Sequence, residues 1–128
     1  MPNFEDIMKD LFHNQTAWYV DMFGKVKSNK TTLFMDRNNC TSQEHVEKWL
    51  CINDLLNIMH YFNSVCIDDV CTKDTRYSIG LNLDGEPIIR AANNDYGTAF
   101  VFNRYDDAEK AIEIMGKEKL KKIFMDRV

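Results

Sequence analysis

Apolar residues recur at i, i+3, i+4 and i+7 from the start of the chain: Phe4, Ile7, Met8 and Leu11. That spacing predicts a short helix with one apolar face. Asn3 stands where its side chain can cap the helix, and Glu5 and Asp6 fall in the first turn, where the helix dipole favours acids. The period then changes. TAWYVDMF (16–23) is rich in strand formers, Gly24 and Ser28-Asn29-Lys30 signal a turn, and TTLFMD (31–36) returns. Residues 16–36 therefore predict a β-hairpin.

Thr41-Ser42-Gln43-Glu44 has the form of a capping box and predicts the start of the longest helix, about 42–63. Trp49, Ile52, Leu55, Leu56, Met59 and Phe62 share one broad arc of that helix. Glu47, Asn53, Asp54 and Asn57 occupy the other arc, so the helix is amphipathic. Residues 64–74 carry no period and predict a loop.

Three strands follow. Tyr77, Ile79, Leu81 and Leu83 alternate with polar or small residues, the pattern of a half-buried strand. Asp84-Gly85 is a hairpin turn signal, and Pro87 opens the next strand, where a missing N–H is tolerated. Asn93-Asn94-Asp95 marks a second turn before a strand at 97–102. Asn103 is placed to cap a helix whose apolar positions are Ala108, Ala111, Ile112 and Met115. Gly116 is a helix stop. A last short helix follows, with Leu120, Ile123 and Phe124 on its apolar face. The order predicts an α+β fold in a single domain: an N-terminal helix and β-hairpin, a long central helix, a three-strand antiparallel meander and a C-terminal helix pair. Strand alternation, capping, dipole matching and a glycine stop account for the whole of 96–124.

Composition agrees with one globular domain. The chain has 128 residues, 45% hydrophobic and 28% charged, within the ordinary range. No run approaches the ~18 apolar residues of a membrane span, so no membrane partner is expected. The N-terminal MPNFEDIMKD has no apolar core of a secretory signal, which predicts a cytoplasmic setting and reduced cysteines. The Asn-x-Thr sequons at Asn14, Asn29 and Asn39 then carry no glycan.

The net charge of −4 argues against direct nucleic-acid binding, which favours a basic surface. Its layout is informative. Residues 25–37 carry +3, with Lys25, Lys27, Lys30 and Arg37 against Asp36. Residues 84–113 carry −4, from seven acids and three bases. The acids are Asp84, Glu86, Asp95, Asp106, Asp107, Glu109 and Glu113. Gathered on one face, they would offer carboxylates where a nucleic acid offers phosphates, and so attract lysines and arginines of a partner.

Other chemistry is thinly represented. Cys66-x4-Cys71, with Cys40, Cys51 or His45, is wider than the usual zinc spacing. His45 and His60 lie about four turns apart on one predicted helix, too far to share a metal unaided. His13 is remote from both in sequence. Asp68-Asp69 and Asp84-Gly85-Glu86 lack the alternating acids of a calcium loop. No nucleophile, zinc-protease or phosphate-loop motif occurs. The expectation is no catalytic residue, no metal and no cofactor.

Residues 49–124 resemble a layout found in small phage and prophage accessory proteins. There a helix ending near "LN" or "FN", here Tyr61-Phe62-Asn63, leads to a strand-rich middle. A "G-x-x-F-x-F" strand follows, here Gly97 to Phe102, and then an acidic helix, here DAEKAIEIMG from Asp107 to Gly116. CIDDVCTKDTRY replaces the tryptophan-rich middle of those proteins. The resemblance implies a phage or mobile-element context in the cytosol of a bacterial host, and no catalytic residues. Charge layout and resemblance together predict a non-enzymatic protein that binds a host protein. Its most concrete form is an acidic, anti-CRISPR-like inhibitor of a nucleic-acid-handling defence effector. A structural or virion-associated, self-assembling protein is the alternative. A small enzyme or small-molecule sponge built around His60, Tyr77 or Cys66 is a further one.

Overall fold

A computed structural model describes residues 1–65, 75–91 and 100–125. The fold is α+β. Among the described residues it has four helices and two small antiparallel sheets. The chain forms two compact units, residues 1–49 and Leu50 onward.

In the first unit, α1 (Phe4–Phe12) opens as expected. The Asp6 N–H donates to Asn3 Oδ1 and the Asn3 N–H donates to the Asp6 carboxylate. Met8 and Phe12 turn inward onto Ala17, with Phe34 packed against them. Phe4, Ile7 and Leu11 remain exposed, and Arg37 lies over the Phe4 ring, 4.4 Å from its centre.

β1 (Gln15–Val20) pairs antiparallel with β2 (Val26–Thr31), Trp18 opposite Ser28 and Val20 opposite Val26. The hairpin exists, but its turn comes earlier than the Ser28 cluster suggests, and the second strand is VKSNKT rather than TTLFMD. The cause is Asp21. Its Oδ1 accepts from the N–H groups of Phe23 and Lys25, both at 2.9 Å, and the Gly24 N–H donates to its carbonyl. Gly24 takes φ 78°, a left-handed conformation that glycine adopts without strain. Residues 32–39 form turns beyond the strand. The Asn38 side-chain amide pairs with both main-chain groups of Val20, at 2.7 and 3.3 Å.

The Asp21 carboxyl is held below the usual carboxylate range, chiefly by the Lys25 N–H, with further help from the Phe23 N–H and the charges of Lys27 and Lys25. A carboxyl with a lowered folded-state value stabilises above its unfolded value, about 3.9, and loses that contribution as pH falls through the folded value. Acidification below about pH 4 is therefore expected to loosen the 21–25 turn. An acid titration followed through the Phe23 and Lys25 amide resonances checks this. Asp21→Asn keeps the acceptor and should remove the transition. An identical titration in the variant would take the carboxylate out of the account.

α2 (Gln43–Ser64) begins one residue later than the capping box suggests. Ser42 Oγ accepts from the His45 N–H, and the His45 ring accepts from the Thr41 N–H. Ser42 is thus the cap and His45, not Glu44, closes the loop behind it. Leu55 is fully buried, whereas Trp49 and Leu56, expected on the same buried arc, are exposed. Cys51 occupies the inward position between them.

The second unit is built on β3 (Tyr77–Leu81), β4 (Pro87–Ala91) and β5 (Val101–Phe102). All pairings are antiparallel, but the order is β4-β3-β5. The third strand adds to the free side of β3 instead of continuing outward from β4, so β3 is central. Its central position suits Ile79, which is buried on the helix-covered face. The β3–β4 turn repeats the Asp21 turn. Asn82 Oδ1 accepts from the Asp84 and Glu86 N–H groups, the Gly85 N–H donates to the Asn82 carbonyl, and Gly85 has φ 78°.

α3 (Tyr105–Met115) and α4 (Lys117–Phe124) meet at Gly116, φ 82°, which ends the first and starts the second. Phe102, Leu55, Ile79, Ala108, Ala111, Met115, Leu120 and Ile123 form the core with Cys51. Asn103 does not cap α3. The cap position is Arg104, without a side-chain bond, and the Asn103 N–H donates to Asn63 Oδ1 at 3.0 Å. Asn63 Nδ2 in turn donates to the Val101 carbonyl at 2.9 Å. The end of α2 thereby pairs with the outer edge of β5 as a neighbouring strand would.

Candidate partner-binding surface

The seven acids of 84–113 separate into distinct environments. α3 supplies four of them, and helix phase sorts these four. Asp107 lies on the inward side with Ala108, Ala111 and Met115, and only 6% of it is exposed. A helix turns 100° per residue, so Asp106, one position earlier, faces solvent. Glu109 and Glu113, three and seven positions after Asp106, share its side. Asp106, Glu109 and Glu113 form one exposed row, roughly 10 Å long at 1.5 Å per residue. Asp107 does not belong to it, because its position in the turn is a core position.

Asp84 and Glu86 sit on the β3–β4 turn. Gly85 between them lies under α4, where a Cβ would come within 3.3 Å of Lys121 Cε. Glu86 is ion-paired with Lys117, and that hydrogen bond, with the charges of Lys117 and Lys121, holds its carboxyl below the usual range. Asp84 is exposed on the same turn. Asp95 falls outside the described residues.

Beside the acidic row runs an open groove of about 420 Å³ between β4 and α3, lined by Pro87, Ile88, Ile89, Tyr105, Glu109 and Ile112. Tyr105, Glu109 and Ile112 recur at i, i+4 and i+7, so one stripe of α3 makes the whole wall. The Tyr105 ring is steadied by an edge contact with Tyr77, 5.6 Å between centres. The groove thus joins apolar walls, a carboxylate and a phenol.

The remaining candidates have structural placements. Cys40 and Cys51 are buried, and burial pushes the Cys40 thiol up, which disfavours the reactive thiolate. The Cys40 main chain exchanges both hydrogen bonds with Trp18. Cys66, Cys71, Asp68 and Asp69 fall outside the described residues. His45 serves the α2 cap. His60 is exposed on α2. The His13 ring meets Phe34 edge-on, and its Nδ1 is buried with no hydrogen-bond partner among the described residues. Lys27 lies 3.8 Å from Asp21 on the first hairpin. Among the described residues, no group of three or more His, Cys, Asp or Glu is placed to hold a metal ion. No described helix is long and apolar enough to cross a membrane.

No protein-family model, no curated protein and no solved structure matches this chain.

Proposed function

We propose that this chain is a non-enzymatic binding protein whose α3 surface engages a basic region of a partner protein. The observation that carries the reading is the exposed row of Asp106, Glu109 and Glu113 on one side of α3. Carboxylates in a row on a rigid helix attract lysine and arginine side chains through charge-assisted hydrogen bonds. They also speed encounter with a positively charged patch. Proteins that handle nucleic acid carry such patches to hold phosphates. An inhibitor of a nucleic-acid-handling defence effector, in the manner of an anti-CRISPR protein, is the concrete form of this role, and the resemblance to phage accessory proteins supports it. Asp84 extends the acidic character to the β3–β4 turn. Glu86 does not add to it, since Lys117 neutralises it.

The test is affinity purification of the tagged protein from a bacterial host carrying defence systems, with and without nuclease, followed by mass spectrometry. One host protein recovered stoichiometrically in both conditions is the expected result. The triple reversal Asp106→Lys, Glu109→Lys and Glu113→Lys should reduce recovery by roughly ten-fold or more, as loss of several interfacial charge pairs does. Undiminished recovery with the triple variant would exclude this row as the contact. Recovery of the bait alone, with concentration-dependent light scattering, would favour a self-assembling protein instead.

A further inference from the structure

The groove beside the acidic row is bounded on one side by main chain rather than by side chains alone. The hydrogen-bond alternation of an antiparallel pair shows which groups of β4 face it. The Asn82 N–H donates to the Glu86 carbonyl, so Gly80–Ile88 and Ser78–Arg90 are the hydrogen-bonded pairs further along the register. Consistently, the Ile79 N–H donates away from β4, to the Phe100 carbonyl on the β5 side. Ile79 lies opposite Ile89. The N–H and C=O of Ile89 and the C=O of Pro87 therefore point outward, away from β3. Among the described residues β4 is an edge strand, and no strand covers these groups.

An open row of main-chain donors and acceptors is a template for another extended chain. Here it has a ready-made floor and wall. A strand laid along β4 would pack its inward side chains on Ile89, Ile112 and Tyr105, within reach of Glu109. Asp106 and Glu113 flank that reach on the solvent side. Pro87 has no N–H and offers an incoming segment its carbonyl alone, whereas Ile89 and Ala91, opposite Ile79 and Tyr77, offer both main-chain groups.

We propose that the β4 edge receives an extended segment of the partner by strand addition, and that the segment alternates basic with apolar side chains. This rests on the reading of α3 as a binding surface. It adds that the partner is held by its main chain and not by charge alone.

The probe is a short acetylated peptide of alternating lysine and valine, titrated against the isotope-labelled full chain. Two comparison peptides accompany it: one with glutamate in place of lysine, the other N-methylated on alternate main-chain nitrogens. The first peptide is expected to bind and to shift the Ile89 amide most strongly. Both comparison peptides, and the Glu109→Lys variant with the first peptide, should bind about ten-fold more weakly. If the N-methylated peptide binds as well as its parent, strand addition is overturned while the charged row keeps its role. If the lysine peptide does not bind at all, or shifts only residues away from β4, the proposal also fails. The host-protein purification with the triple lysine variant tests the underlying reading separately.

Discussion

Replacing Phe102 with alanine is expected to destabilise the second unit by about 3–5 kcal/mol, the usual cost of truncating a fully buried phenylalanine. Phe102 is 0% exposed and belongs to a strand of two residues. Among the described residues the strand pairs with β3 at Tyr77–Phe102 and Ser78–Val101. Its place is thus held largely by this side chain among Leu55, Ile79, Ala111 and Leu120. Truncation removes both the transfer free energy and the contacts lining the cavity. A loss of that size lowers the midpoint of thermal unfolding by roughly 10 °C or more in a chain of this length. Phe102→Leu should cost far less, about 1.5 kcal/mol or under if neighbours repack. Circular-dichroism melts of the two variants decide the matter. Equal, small shifts in both would mean that Phe102 does not pin β5.

Asn63→Leu is the second large effect. Asn63 completes one donor and one acceptor at the edge of β5, the Val101 carbonyl and the Asn103 N–H. A leucine of similar size leaves both part-buried groups without that partner, and each costs about 1–3 kcal/mol. The expected total is about 2–6 kcal/mol. Asn63→Gln is the discriminating companion, because it keeps the amide but moves it by one methylene. Urea unfolding should place Gln between wild type and Leu. A leucine variant as stable as the parent would show that solvent satisfies these groups. Accelerated hydrogen exchange at Asn103 in Asn63→Leu would locate the loss at that edge.

Much of the architecture could be read from residue pattern alone, because helices are local. The inward row Ala108, Ala111 and Met115, the stop at Gly116 and the Leu120–Ile123 face all follow from spacing within one or two turns. The hairpin at 15–31 was harder. Met22 and Phe23 look like the end of a strand, yet they are 90% and 78% exposed on the turn. Alternation cannot separate a buried apolar residue from one at a loop tip. A sharper signal was present: Asp or Asn, two residues, Gly, one residue, at both 21–25 and 82–86. In each case the first side chain gathers the N–H groups two and four residues on.

The sheet order lay beyond such reasoning, since pairing between β3 and β5 depends on contacts far apart in sequence. The acidic block was visible as a count but not as a surface. One residue of helix phase separates exposed Asp106 from buried Asp107, and one lysine on the next helix neutralises Glu86. The groove wall of Tyr105, Glu109 and Ile112 had the right spacing. Nothing local indicated that the edge of β4 would lie across from it.

The joint at Gly116 bears on how this fold can vary between descendants. α3 and α4 meet there with no spare residue, the same glycine serving as the end of one and the start of the other. Inserting a single residue between Gly116 and Leu120 would turn the rest of α4 by about 100° against its own first residues. Leu120 and Ile123 would swing away from the core, and Lys119 and Lys122 would take their places. Related chains should therefore differ in length elsewhere, and keep the spacing from Ala111 and Met115 to Leu120 and Ile123 unchanged even where the surface residues between them have diverged.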